Sequence, residues 1–496
     1  MALRDRLDLI RAKDLLLGTF LERLSVVYDD KRLVAEKETG LELTYRQAAD
    51  RVARWAGGIR GRIDPGDRVV VAVPNGYELV LLCQAVARAG GVAVPINPKM
   101  RDEEIRHIIE DSGATLTIHE PAEVDAQPIA QVPGISGSDT AVLFYTSGTT
   151  GKPKGAQLTH RALVGSAGGG AGVPPIINEC VTGMPLAHIA GFAGVVQMAA
   201  MGVPVYLLNR FRPTDAMDAI ETRKPAMFVG VPAMFRMMEE AGAEHRNLES
   251  VRIWSSGADV MPTDLAKKFQ TYGGAMRIPF TRKTVGLAGF VDGYGMVELG
   301  GGVAMRFFPP GISLPFGGMV RPMRGNELKV VDDAGNDVPR GEVGELVVKG
   351  PSVMKGYHGR DEATRDAMTA DGWLRTGDLA KMHKGGFFEF AGRKKDVIKH
   401  GGYSVFAVEV EATLGEHPAV AEAAVLGLPD ERKGEIPVAV IRLHEGASAT
   451  EEEIIAFSRE RLSEYKVPQK VRFAVELPRT GTEKVRKTGL RPLFDG

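Results

Sequence analysis

The densest chemical signal in the chain is the run Tyr145-Thr146-Ser147-Gly148-Thr149-Thr150-Gly151-Lys152-Pro153-Lys154-Gly155. Glycines let backbone N–H groups point at an anion, hydroxyls add donors, and lysine neutralises phosphate charge. Placed after an apolar strand, such a loop is suited to hold a polyphosphate. It is not the GxxxxGK[ST] loop of P-loop NTPases, so a different phosphate-binding fold is implied. The two cysteines, Cys83 and Cys180, sit in no CxxC or Cys/His cluster, which argues against a zinc site. Cys83 lies in an apolar run and reads as a buried thiol in a reducing setting.

Further strings follow in a fixed order along the chain. They are Pro185-Leu186-Ala187-His188-Ile189-Ala190-Gly191, then Ser256-Gly257-Ala258, then Asp292-Gly293-Tyr294-Gly295-Met296-Val297-Glu298. Gly344-Glu345-Leu346, Gly350-Pro351, Gly356-Tyr357 and Trp373-Leu374-Arg375-Thr376-Gly377-Asp378 come next. The series closes with Gly392-Arg393-Lys394-Lys395-Asp396, Gly401-Gly402 with Glu409 and Glu411, and Pro478-Arg479-Thr480 leading to Lys484. In kind and order these resemble the adenylate-forming superfamily of acyl-CoA synthetases, peptide-synthetase adenylation domains and firefly luciferase. The chain is most similar to a fatty acyl-CoA ligase.

The resemblance implies an ATP-dependent acid–thiol ligase. A carboxylic acid and ATP would give acyl-AMP and pyrophosphate, and CoA would then take the acyl group and release AMP. It places ATP on Thr146, Ser147, Gly148, Thr149, Thr150, Gly151 and Lys154, on Gly257 and Ala258, and on Asp292, Gly293, Tyr294, Gly295, Met296 and Val297. Asp292 would accept from the adenine amino group and Tyr294 would stack on the purine. Mg²⁺ falls to Glu298 and Thr149, since it prefers hard oxygen ligands shared with substrate phosphates. Asp378 would grip both ribose hydroxyls, with Arg393 reaching the same sugar. His188 would gate the acyl pocket, Lys395 would be the hinge, and Gly401 and Gly402 would pass close to the pantetheine arm of CoA. Lys484 would bridge the carboxylate and the α-phosphate, offsetting the repulsion of two anions in the adenylation step.

Three departures from the superfamily pattern stand out: Val297 replaces a usual threonine whose hydroxyl contacts phosphate, Glu483 a usual glycine, and Ala407 a frequent proline. An amino-acid substrate would need a carboxylate for its ammonium, and residues 185–194 contain no aspartate. Residues 165–175 and 187–202 are rich in glycine and alanine, which leaves volume for an apolar acyl chain, medium or long fatty acids leading. Three rivals are an acyl-AMP ligase that loads a carrier protein, a luciferase-like oxygenase and a nucleotide-binding regulator without catalysis.

These residues need a scaffold. Residues 67–73, 91–96, 142–145, 205–208, 226–229 and 251–255 read as buried strands alternating with helices, as in parallel sheets. Thr44 with Gln47 and Thr450 with Glu453 form capping boxes. Residues 327–349 read as an antiparallel hairpin around a turn at 332–337, and 420–426 and 436–443 as strands of a last α+β segment. The fold expected is multidomain α/β. Residues 1–394 would form a large domain of parallel-sheet subdomains with a small β-barrel-like unit, and 395–496 a small mobile α+β domain. A length of 496 residues fits about three structural units. A net charge of -1 gives no field favouring nucleic acid or an anionic membrane. The charged residues 1–17 do not read as a signal peptide, and no run of ~18 apolar residues offers a membrane span, so a cytoplasmic enzyme is expected.

Overall fold

A computed structural model describes residues 15–146, 152–165, 177–277, 284–308, 320–323, 325–479 and 485–495. The expectations placed on Ser147, Gly148, Thr149, Thr150, Gly151, Thr480, Glu483 and Lys484, on 166–175 and on 1–14 lie outside the described residues. The chain divides into two compact units. One holds Met1–Gly317, Arg321–Glu327 and Lys349–Gly372, and the other holds Gly318–Val320, Leu328–Val348 and Trp373–Gly496.

In the first unit the strands are β1 (Arg32–Glu36), β2 (Glu42–Thr44), β3 (Arg68–Val71), β4 (Val92–Pro95), β5 (Leu116–Ile118), β6 (Thr140–Thr146), β7 (Lys154–Thr159), β8 (Cys180–Thr182) and β9 (Val205–Leu207). They continue with β10 (Met227–Gly230), β11 (Ile253–Gly257), the short pair β12 (Met276–Arg277) and β13 (Thr284–Val285), β14 (Gly289–Met296), β15 (Gly301–Phe308) and β16 (Arg321–Pro322). Among the described residues one sheet runs β16-β15-β14-β11-β10-β8-β9-β1-β2 and another β5-β3-β4-β6-β7. The first is parallel in the middle with antiparallel edges, and the second is parallel from β5 to β6 with one antiparallel edge, β7. The apolar runs read as strands are those middle strands; buried on both faces, they have no polar side to show. Beneath β10, β11 and β14 the Phe235 ring meets Phe228, Phe269, Phe290 and Trp254 at centroid distances of 4.9 to 6.2 Å. Such pairs contribute about 0.5–1.5 kcal/mol each beyond area burial. They fix the strands that carry Gly257 and Asp292.

Helix α1 (Tyr45–Arg60) starts where the sequence places it. Gln47 N donates to Thr44 Oγ1 at 3.3 Å and Thr44 N to Gln47 Oε1 at 2.9 Å, while Ala48, Val52, Trp55 and Ile59 turn inward. Two other helices of this unit matter below, α2 (Asp102–Ser112) and α3 (Ile189–Met201). Cys83 and Cys180 are both buried free thiols, and burial pushes each well above the usual thiol range. Among the described residues no helix is long and apolar enough to cross a membrane.

The second unit contains the antiparallel sheet β17 (Glu327–Val331), β18 (Val343–Lys349), β19 (Leu374–Met382) and β20 (Phe388–Arg393). The turn after β17 closes at Val331 and Asp337, with Asn336 N donating to Asp332 Oδ1 at 2.8 Å. Then follow β21 (Val397–His400), β22 (Tyr403–Phe406), β23 (Val420–Asp430), β24 (Gly434–Leu443), helix α4 (Glu451–Arg459) and β25 (Lys470–Phe473). The α4 cap is again reciprocal, between Thr450 and Glu453.

Candidate active site

The glycine-rich loop is the connection of a β-hairpin. Thr146, the last residue of β6, lies opposite Lys154, the first of β7. Lys154 Nζ sits 5.3 Å from the ring centre of Tyr357. The Tyr357 hydroxyl donates to Glu298 Oε1 at 2.8 Å. Tyr357 is placed by its own backbone, because residues 355–358 pair with β7 through Lys355 N to Gln157 O, Gln157 N to Gly356 O and His358 N to Gly155 O, at 2.8 to 2.9 Å. Gly356 has φ +149, and a Cβ there would meet the Thr364 side chain at 2.8 Å, so glycine is required. Burial and the neighbouring Glu298 push the Tyr357 hydroxyl well up, which keeps it a protonated donor.

Glu298 sits in a short 3-10 turn directly after β14 and is 7% exposed. Among the described residues no lysine, arginine or histidine pairs with it. A buried carboxylate holding one hydroxyl and no counter-charge suits a divalent cation. Mg²⁺ bound there would neutralise substrate phosphate charge. Val297 beside it is buried, in agreement with an apolar side chain at this position.

The second group stands on β11 and β14, where Ser256 pairs with Asp292 and Gly257 with Gly293. Among the described residues a Cβ on Gly257 or Gly293 would meet nothing nearer than a carbonyl oxygen, at 3.5 and 3.6 Å. Packing among the described residues therefore does not demand glycine at either place, and the pair leaves an open floor. Ala258, just beyond, is held at φ +69, a conformation that costs of order 1 kcal/mol and tends to be kept at functional turns. Ser256 Oγ and Asp292 Oδ1 are buried without a hydrogen-bond partner among the described residues. Burial pushes Asp292 up to about 6 against the pull of Arg306. Next to this turn lies an apolar cluster of Met184, Val231 and Met234 with Ala190, Phe211, Ala233 and Ala258. His188 caps α3: its Nδ1 accepts from Ala190 N at 3.3 Å, which leaves the ring proton on Nε2. The capping bond is a structural role, held alongside any gating of the cluster.

In the second unit Asp378 and Arg393 face each other across β19 and β20, with Arg393 Nε 3.3 Å from Asp378 Oδ1. The turn that presents Asp378 is tied down by Thr376 Oγ1, which accepts from Asp378 N and donates to Leu346 O. Glu345, buried, accepts from Gly377 N at 3.3 Å and pairs with Arg375 and Lys394. Lys395 lies in the 3-10 turn Lys394–Asp396. Gly401 and Gly402 form the two-residue turn of the β21–β22 hairpin with φ +57 and +85. A turn with two positive φ values requires glycine by itself, so their presence is accounted for without a CoA contact.

The model of the AMP-binding enzyme family matches residues 21–358, and that of its C-terminal domain matches 409–484. The chain belongs to the AMP-binding enzyme family.

This AMP-binding enzyme is 34% identical to a feruloyl-CoA synthase of Amycolatopsis sp, over 93% of this chain and 96% of that protein. It is 30% identical to a long-chain-fatty-acid–CoA ligase of Bacillus subtilis, over 86% of each. Among solved structures it resembles the o-succinylbenzoate CoA synthetase of Bacillus subtilis in complex with its acyl-adenylate intermediate, with a TM-score of 0.82 at 28% identity, over 96% of this chain and 98% of that one. That synthetase is also known with ATP and magnesium ion. The present AMP-binding enzyme is accordingly an AMP-forming acyl-CoA ligase that works with ATP, Mg²⁺ and CoA.

Three contacts are not announced by the sequence: Tyr357 on Glu298 and Arg306 on Asp292 in the first unit, and Glu345 under the Asp378 turn in the second. Tyr357 and Glu345 lie inside strings that carry the resemblance, which marks their place without their purpose. Arg306 lies in no such string.

Proposed function

We propose that the acid activated by this ligase has an apolar, uncharged acyl chain, with medium- and long-chain fatty acids as the leading class. The observation that supports this is the buried apolar cluster of Met184, Val231 and Met234, which packs against Ala190, Phe211 and Ala258, the residue of the strained turn. Methionines adapt to chains of different length. An aromatic acid is the second reading, favoured by the 34% identity to a feruloyl-CoA synthase. The acceptor thiol in this reading is CoA, a carrier protein is the alternative, and the site of action is the cytoplasm.

Acid-dependent exchange of labelled pyrophosphate into ATP tests it, with octanoate, palmitate, ferulate, o-succinylbenzoate and malonate compared. Octanoate or palmitate is expected to give the fastest exchange, and thioester should form when CoA is added. Fastest exchange with ferulate moves the assignment to aromatic acids, and fastest exchange with malonate rules out a charge-free pocket. No exchange with any acid would remove the two-step route.

In the same reading residues 395–496 turn as a unit about Lys395 between the two half-reactions. Proline restricts φ at that pivot. Lys395→Pro is therefore expected to slow thioester formation from supplied acyl-AMP more than it slows pyrophosphate exchange. Equal loss of both, in a variant with a wild-type circular-dichroism spectrum, counts against a hinge at this position.

A further inference from the structure

Asp292 and Arg306 face each other across the antiparallel pair β14–β15. Arg306 Nη2 donates to Asp292 Oδ2 at 2.8 Å and to the Met261 carbonyl at 3.0 Å. The side chains are 12% and 11% exposed, respectively. Anchored on both, the guanidinium fixes how the carboxylate lies. The other carboxylate oxygen, Oδ1, has no hydrogen-bond partner among the described residues. Asp292 pairs with Ser256, one step before the open Gly257–Gly293 floor. A buried acceptor left open in this way is costly unless a ligand donor completes it.

We propose that Arg306 is a positioning residue for nucleotide choice, holding Asp292 as an ionised acceptor whose open oxygen takes the adenine amino group and repels the ring carbonyl of guanine. This rests on the assignment of Asp292 to the adenine side of the site. The two purines differ there in the needed sense: adenine offers an N–H₂ donor where guanine offers an acceptor. A carboxylate satisfies the first and opposes the second, whereas a protonated carboxyl can donate to guanine and loses the distinction.

The surroundings set where that change falls. Burial raises Asp292 to about 6, Asp259 beyond β11 acts in the same direction, and Arg306 on β15 with the Met261 amide pull it down. Asp292 is therefore ionised and selective above about pH 6 and becomes neutral below it. Removing Arg306 deletes the counter-charge, so the transition moves up toward neutral pH.

The experiment is calorimetric titration of the enzyme with ATP and with GTP from about pH 5.5 to about pH 8.5, reading the ratio of the two Kd values. The ratio is the right quantity because both nucleotides carry the same triphosphate, whose own titration near pH ~6 cancels. The wild type is expected to prefer ATP by roughly 10²-fold or more at the alkaline end, the preference fading through about pH 6. Arg306→Met should lower the ratio at neutral pH by about tenfold and shift its midpoint up, while Arg306→Lys keeps the midpoint near that of the wild type. Asp292→Asn, whose amide oxygen is held by Arg306 so that its N–H₂ faces the open side, should lose the preference for ATP at every pH. A wild-type ratio flat across the range overturns the proposal. So does Arg306→Met with an unchanged ratio and midpoint, or Asp292→Asn with undiminished preference. Should Arg306→Met fail to fold, the lysine and asparagine variants still decide. A wild type that binds neither nucleotide overturns both this proposal and the ligase reading, whereas pyrophosphate exchange with a flat ratio overturns this proposal alone.

Discussion

Glu298→Gln is expected to lower adenylate formation by roughly 10²-fold or more while leaving the protein at least as stable to heat. The reasons for the two halves are separate. An amide is nearly the same size as a carboxylate, and its oxygen still accepts from the Tyr357 hydroxyl, so packing is kept. What is lost is the negative charge. Glu298 is buried with no cation opposite it among the described residues, so its charge is a burden in the free protein and a benefit only toward a metal. The Mg²⁺ concentration that half-saturates pyrophosphate exchange should rise with the loss of rate. Tyr357→Phe, which removes only the hydroxyl that orients the carboxylate, should cost less, about tenfold. A Glu298→Gln enzyme with wild-type rate and wild-type Mg²⁺ demand would show that the metal lies elsewhere.

Lys484→Ala is expected to abolish most adenylation, by about 10²–10³-fold, and to spare thioester formation from supplied acyl-AMP and CoA. Adenylation brings a carboxylate against a phosphate, and an ammonium between them offsets the repulsion. The second half-reaction brings a thiol to an already neutralised acyl carbon and has no such need. Glu483, next in the chain, sharpens the test. If it holds Lys484 in an ion pair, Glu483→Gly should raise the adenylation rate. Wild-type pyrophosphate exchange in Lys484→Ala would show that the superfamily role does not carry over to this position.

Much of the scaffold is legible in the sequence because local rules govern it. The capping boxes at Thr44 and Thr450, the apolar strands of the parallel sheets and the turn after Val331 each depend on neighbours a few residues apart. The hairpin at Gly401-Gly402 is visible as a glycine pair, but its reason is turn geometry at the least, whereas the superfamily resemblance assigns the pair to CoA. Contacts between distant segments are not legible in the same way. Arg360 reaches Asp111 across 249 positions, and the Tyr145 hydroxyl donates to that same carboxylate at 3.0 Å, tying the strand before the glycine-rich run to α2. Tyr357 reaches Glu298 across 59 positions. No periodicity or local motif encodes such pairs; they exist because β7 recruits residues 355–358 as an added edge. Arg306 is hidden in the sequence for a different reason. It is a lone charge in the apolar run Val303-Ala304-Met305-Arg306-Phe307 of β15, and nothing in that run names its partner until the facing strand is seen.

The two deeply buried cysteines have a bearing on the chemistry as well as on packing. One co-substrate of this enzyme is a thiol and its product is a thioester, so a reactive cysteine near the surface could intercept the acyl group or form a mixed disulfide with CoA. Cys83 and Cys180 are the only cysteines in the chain, and both are enclosed and far from ionised at neutral pH. Since the thiolate is the attacking species, neither competes with CoA. The folded ligase is thus inert toward transthioesterification on itself, and it should tolerate an oxidised CoA pool without being capped by it.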